Sequence, residues 1–315
     1  MSVPTGLRPA LLLLALLLGG CAARGPVLVT ELPGTAAGGV ELEATPFFPQ
    51  RAYQCGPAAL ATVLVASGVA TDADALVPQV YLPGRQGSLQ DELVAASRRH
   101  DRLAYRIDGE LAAIDDALRA GHPVLVLLNL GIDLLPVWHY AVVVGLDVAA
   151  DRVILRSGTE RRRALAASRF AAAWQRAGLW GVVIARPQAP PTQARPARWL
   201  AAAAGLESAG RLTAAAAAYQ ASLARWPDHT QALFGLGNVR YQQDQPAAAA
   251  ALYRRYLTHE PGDAAAWNNL AMAQIDAGDL VAARASLARA TALGSPPEIA
   301  AAIASTRAAL AAATD

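Results

Sequence analysis

The sequence predicts an α+β domain joined to an all-α solenoid of helical repeats. Three observations carry this expectation. Cys55, the one cysteine beyond the N-terminal leader, stands where a loop turns into a helix. The β-branched run Val142-Val143-Val144, opened by His139, reads as a buried strand. After a Pro-rich stretch near residue 190 the apolar pattern changes to a step of 34 residues.

Residues 1–20 read as a leader: Arg8 supplies a positive n-region, and the apolar run Ala10–Leu18 is too short to span a bilayer as an ordinary helix. Leu18-Gly19-Gly20-Cys21 resembles the bacterial lipoprotein signal, in which the cysteine becomes the lipidated N-terminus. The resemblance implies lipidation at Cys21. With Ala22 rather than Asp following, it also implies an outer-membrane lipoprotein facing the periplasm. Residues 21–43 read as a tether, with a short strand near Val27–Thr30. With Cys21 modified, Cys55 is the single remaining thiol in an oxidising compartment, so no intramolecular disulfide is open to it.

The chain carries 27 Lys+Arg against 25 Asp+Glu, and all its basic residues are Arg. No basic stripe interleaved with aromatics appears, which argues against nucleic-acid binding. The histidines are scattered and no cysteine is spare, so no metal site is visible; phosphate-binding Gly-rich loops are absent too, so no cofactor is expected.

Within the first domain, Pro46 and Pro49 keep the approach to Cys55 extended. Leu60, Val63 and Leu64 then mark one helical face, with Gly68 as C-cap. A capped helix over Thr71–Val77 and a capping-box-like start at Ser88 for a helix through Arg99 follow. Next come a strand at Leu103–Ile107, a helix at Gly109–Arg119 and a central strand at Pro123–Asn129. Trp138–Asp147 and Arg152–Arg156 form a hairpin through residues 148–151, Leu165–Ala177 is helical, and Trp180–Ala185 closes the sheet.

Cys55 at a helix N-terminus meets unpaired N–H groups and the positive end of the macrodipole, an environment expected to lower a thiol pKa. A nucleophilic cysteine needs a base, and His139 is the best placed of five histidines. His100, His122, His229 and His259 read as helix-end or turn residues. Gln50, five residues before Cys55, could supply an amide to a developing oxyanion beside the Cys55 N–H; Gln54 is the alternative donor.

Gln50, Cys55-Gly56-Pro57-Ala58-Ala59-Leu60 and His139-Tyr140-Ala141-Val142-Val143-Val144-Gly145 together resemble the papain-like peptidases of cysteine peptidase family 39, which process bacteriocin leaders after a double glycine. The resemblance covers residues 44–186. It implies a papain-like α+β fold, hydrolysis of peptide bonds after small residues, Cys55 as nucleophile and His139 as base. In the family an Asp stands seventeen or eighteen residues after the histidine. Here that place is Arg156-Ser157-Gly158, so Ser157 is the expected orienting group and brings no charge.

Residues 187–195 form a Pro-rich linker. Beyond it Trp199, Leu233 and Trp267 are spaced by 34, as are Ala215, Ala249 and Ala283. That is the tetratricopeptide period, giving three repeats at 196–229, 230–263 and 264–297 and a capping helix at Glu298–Ala312. Phe234, Asn238, Tyr241 and Asn268 are expected on the concave face, where a protein partner or substrate would bind. The sequence therefore reads as a lipid-anchored cysteine peptidase with a tetratricopeptide module. Two alternatives stay open: a non-catalytic scaffold, and a Cys-His amidase or acyltransferase acting on a non-protein substrate.

Overall fold

The computed structural model describes residues 38–294 and 296–314. The leader, Cys21 and the Val27–Thr30 strand lie outside the described residues. Twelve α-helices and seven strands are described, in the order β1 (Val40–Glu41), α1 (Cys55–Ala66), α2 (Ala73–Val80), α3 (Gln90–Arg99), β2 (Leu103–Arg106), α4 (Leu111–Arg119), β3 (Val124–Asn129), β4 (Trp138–Asp147), β5 (Arg152–Ser157), β6 (Glu160–Ala166), α5 (Ala167–Arg176) and β7 (Gly181–Ala185). Three helical hairpins follow: α6 (Pro196–Ser208) with α7 (Leu212–Arg225), α8 (Thr230–Gln242) with α9 (Pro246–His259), and α10 (Ala264–Asp276) with α11 (Leu280–Leu293). The helix α12 (Pro297–Ala312) closes the stack.

The strands form one antiparallel sheet in the order β2-β7-β3-β4-β5-β6, with β1 on the far end of β4. Alternation along β4 divides its side chains between two cores. Tyr140, Val142 and Val144 face α1 and pack with Leu60 and Leu64. Ala141 and Val143 face α4 and α5 and pack with Ile114, Leu118, Phe170 and Trp174. Burial of this kind stabilises by about 1.5–3 kcal/mol for each large side chain. Gly145 is needed where it stands, because a Cβ there would lie 2.7 Å from the Val40 carbonyl oxygen of β1.

Several expectations change. The sheet begins before residue 44, since Val40 and Glu41 pair with Leu146 and Gly145. Leu165 and Ala166, expected to open a helix, instead end the edge strand β6, which pairs with β5, and the helix begins at Ala167. Trp180–Ala185 does not close the sheet at an edge: β7 is inserted between β2 and β3. Ser88 does not cap its helix. The N-cap is Leu89, while the Ser88 hydroxyl packs against α1, where a Cβ on Gly56 would come within 2.3 Å of it.

The stretch 187–195 is pinned rather than free. Tyr105 OH accepts the Arg195 N–H at 3.0 Å, and Arg225 donates to the Pro191 and Thr192 carbonyls. Across the same junction Arg198 pairs with Asp108 at 2.7 Å and Arg211 holds both oxygens of Asp101 at 2.7 Å. Trp199, fully buried, lies 6.5 Å from the Tyr105 ring, and the apolar core runs without a break from the sheet into α6, α7 and α8.

The hairpins repeat at 34 residues. The small residues Ala215, Ala249 and Ala283 are buried at the helix contacts, with Tyr219, Tyr253 and Leu287 one turn further on. Gly235 and Gly237 leave room for two of those rings: a Cβ at either would meet Tyr219 at 2.5 Å or Tyr253 at 2.7 Å.

Candidate active site

Helix α1 starts at Cys55 itself, after an extended approach and a positive φ of 62° at Tyr53, a conformation a bulky residue seldom adopts. Burial of Leu60, Val63 and Leu64 against β4 fixes the helix, so its N-terminal end presents Cys55 beside Tyr140. Pairing of β4 with β5 runs only to Val142 opposite Arg156. Below that point the backbone N–H groups of Tyr140, Gly56 and Cys55 approach the sulfur.

A cavity of about 760 Å³ opens here, lined among others by Gln50, Cys55, Ser88, Trp138, His139 and Tyr140. The thiol and the imidazole thus face a common space, with no hydrogen bond joining them in this conformation. The His139 Nε2 lies 2.8 Å from Ser157 Oγ, so the imidazole meets the residue eighteen positions on from it. If Nε2–H donates to the hydroxyl, the Nδ1 lone pair is left for another proton.

Gln50 is held by its backbone, whose N–H donates to the Gly158 carbonyl at 3.0 Å, leaving its side chain on the cavity wall. Gln54 lines a different surface depression, on the side of Asp72 and Asp74. Of the two amides, Gln50 is the one that borders the cavity. Arg156 secures this arrangement from beneath. Its buried guanidinium donates to the carbonyls of Glu43, Thr45 and Arg161, tying the extended approach to the β5–β6 hairpin.

The electrostatics differ from the sequence expectation. Burial pushes the Cys55 thiol above its ordinary range and outweighs the nearby N–H groups, which pull the other way. His139 is held down to about 4, first by burial and then by the guanidinium of Arg163 on β6. At neutral pH the site therefore rests as thiol and neutral imidazole, not as a preformed ion pair. Asp147 and Asp151 sit at the β4–β5 turn, the end of the hairpin away from Ser157. Arg163 and the Tyr140 N–H were not singled out from the sequence, and Ser88, whose hydroxyl is a buried oxygen without a hydrogen-bond partner, was read only as a helix cap. Arg163 was missed because β6 was. The others act through backbone or through a loop whose path only the fold determines.

In the repeats, Phe234 and Asn238 line a groove of about 420 Å³ with Leu200, Glu207, Tyr219 and Tyr256. Tyr241 and Asn268 are not among its lining residues. Tyr241 OH donates to Asp276, and Asn268 is buried in the helix packing.

Two tetratricopeptide-repeat family models match the chain, over residues 200–263 and 240–306. The C-terminal region is a tetratricopeptide-repeat module. No curated protein matches the sequence. Among solved structures, a Bacillus anthracis protein named as a C39-like peptidase is similar at 16% identity. That likeness covers 46% of this chain and 96% of its own, with a TM-score of 0.39. The Yersinia enterocolitica type III secretion chaperone SycD, solved with a peptide of the translocator YopD, is similar at 19% identity, covering 38% and 91%, with a TM-score of 0.35. PcrH from Pseudomonas aeruginosa is similar at 22% identity, covering 38% and 92%, with a TM-score of 0.34.

Proposed function

We propose that this chain is a cysteine peptidase, anchored through a lipidated Cys21 to the periplasmic face of the outer membrane, whose tetratricopeptide module holds a protein partner or the substrate. The observation that carries the reading is the 2.8 Å contact between His139 Nε2 and Ser157 Oγ, on a cavity that Cys55 and Gln50 also line. In this reading Nδ1 of His139 takes the thiol proton as the sulfur attacks a peptide carbonyl carbon. The Cys55 N–H and the Gln50 amide hold the oxyanion. The imidazolium returns its proton to the leaving amine, and water then hydrolyses the thioester. Because both partners are neutral at rest, proton transfer accompanies attack rather than preceding it. Phe234 and Asn238 would contribute to partner binding in the repeat groove.

A thiol-directed peptide-like probe tests the chemistry. Labelling at neutral pH that is lost in Cys55→Ala and falls by about 10²–10⁴ in His139→Ala supports a catalytic pair. Labelling that survives unchanged in His139→Ala removes it. A second reading, a scaffold in which the sheet domain binds peptide without cleaving it, draws on the uncharged Ser157 and the raised thiol. It predicts peptide binding without turnover. Turnover of an amide or ester that is not a peptide, with peptides left intact, would instead favour the amidase or acyltransferase.

A further inference from the structure

Apart from Val281, the large apolar side chains left exposed among the described residues are Tyr53, Leu89, Val137 and Trp138, which line the Cys55–His139 cavity, and Leu130, Ile132, Leu134 and Leu135, which lead up to Val137 and Trp138 in the chain. Most belong to the segment between β3 and β4, residues 130–137, with Trp138 opening β4. This segment is a closed hairpin. Leu130 N–H donates to the Val137 carbonyl, Ile132 and Leu135 form a bridge, and Asn129 Oδ1 accepts the N–H groups of both Gly131 and Val137. Asn129 is buried, and its own carbonyl accepts from Arg176, so the clamp at the base is fixed. Gly131 is required there, since a Cβ would fall 2.3 Å from the Leu135 carbonyl oxygen. The hairpin therefore holds its apolar side chains out in solvent by construction.

The arrangement along the hairpin is informative. Leu134 and Leu135 are the most exposed, at 84% and 70%, and stand at the tip. Trp138, 55% exposed, stands at the base, and Tyr53 lies across the cavity mouth. Aliphatic groups outermost with aromatic rings behind them is the order that suits a bilayer surface, where aromatic side chains settle at headgroup level. A protruding convex tip also fits a deformable lipid phase better than a preformed protein pocket. Asp133 beside the tip limits insertion to the headgroup boundary, about 5–10 Å deep. Arg85, on the cavity wall, adds a positive charge suited to anionic headgroups.

We propose that the Leu130–Trp138 hairpin seats on the bilayer surface, so that the cavity mouth opens at the membrane and the substrates are polypeptides lying on or emerging from it. The proposal rests on the anchoring at Cys21 proposed above. The seventeen-residue step from Cys21 to Gly38 can span at most about 60 Å. The described chain then joins the sheet at Val40, opposite Leu146, and the eight residues from there back to Trp138 cover only about 27 Å. The anchor thus keeps the hairpin within reach of the bilayer and does not hold it away.

The test uses the full lipidated chain in vesicles of phosphatidylethanolamine and phosphatidylglycerol with brominated acyl chains, which quench only tryptophans at the bilayer. Flotation reports anchoring separately. The wild type should float and be quenched, whereas Trp138→Phe should float with the quenching lost. The double variant Leu134→Asp/Leu135→Asp should float and melt as the wild type does, with quenching reduced at least about threefold. A chain that floats without quenching, or equal quenching in all three proteins, overturns the seating and leaves the anchoring intact. A chain that neither floats nor is quenched overturns both. Saturable binding of a soluble apolar peptide, abolished by the double variant while quenching stays absent, would show that the hairpin serves a protein ligand instead.

Discussion

Replacing Ser157 by Asp tests whether the missing charge sets the resting state of the site. The Ser157 hydroxyl is 2.8 Å from His139 Nε2, and the side chain is buried. Two unit charges about 4 Å apart interact by about 4 kcal/mol at an effective dielectric of about 20. At about 1.36 kcal/mol per pKa unit, that is enough to lift an imidazole held at about 4 back to or above its ordinary value near 6.5. The opposing terms are the desolvation of the new carboxylate and the charge of Arg163, which remains. The sign is clear: a carboxylate favours the imidazolium, which in turn favours the thiolate. Cys55 alkylation by iodoacetamide between pH 5 and 9 reads the result, with the His139 C2–H resonance followed in parallel by NMR and assigned through His139→Gln. In the wild type the rate should stay low at pH 6–7 and rise only in alkali. In Ser157→Asp it should rise at least about tenfold at pH 6–7, while Ser157→Ala should remain near the wild type. Superimposable profiles for wild type and Ser157→Asp would refute the electrostatic account. So would a wild-type profile already level at pH 5–6.

The remaining predictions concern stability. His139 is protonated near 6.5 when unfolded but only near 4 when folded, so its contribution of about 3 kcal/mol is complete above pH 6.5 and is lost as the pH falls to 4. Urea unfolding should show His139→Gln with a flatter acid limb than the wild type over that window. Arg156→Met strands the carbonyls of Glu43 and Thr45 in the approach and of Arg161 on β6 and should cost about 2–4 kcal/mol, with slower Cys55 labelling as the Gln50 segment loosens. Gly235→Ala drives a Cβ into the Tyr219 ring and should cost about 1–3 kcal/mol by thermal melting. Asp101→Asn removes a half-exposed pair with Arg211 and should cost no more than about 1 kcal/mol.

How far the sequence spoke depends on what each feature needed from the rest of the chain. The repeat helices were legible because one 34-residue step recurs at large, small and turn positions together, and those roles are local to a hairpin. Ser157 could be found only through the resemblance, by counting on from His139, because the β4–β5 pairing shifts register between Val143 and Gly145 and hairpin geometry alone would not have placed it. Strand β6 could not be found. Its Arg-rich run Glu160-Arg161-Arg162-Arg163 has little apolar alternation, and its partners are β5 on one side only. Missing β6 hid Arg163, and with it part of what depresses His139. The direction of the Cys55 shift was misjudged for a related reason. A helix N-terminus can be recognised from sequence, but the burial that outweighs it comes from Tyr140 and neighbours distant in the chain. The apolar segment 130–138 was visible as residues, yet only the Asn129 clamp explains why those side chains face outward.

The junction between the two regions bears on how they work together. A Pro-rich stretch suggests independent motion, but the physical test is whether apolar surface is shared across it. Here Tyr105 of the edge strand β2 meets Trp199 of α6, and the core around Phe170 and Trp174 is continuous with Leu206, Ala215 and Tyr219. Separating the regions would expose that surface and strand the buried Trp199. The polar contacts add direction rather than much energy: Arg195 and Arg198 both reach Asp108, and Arg211 grips Asp101, so the first repeat cannot rotate on the sheet without breaking several oriented pairs. The first repeat also supplies one wall of the Phe234–Asn238 groove. The groove wall is therefore fixed to the sheet domain that carries Cys55, so under the proposed function a polypeptide held in the groove would keep one orientation relative to that domain.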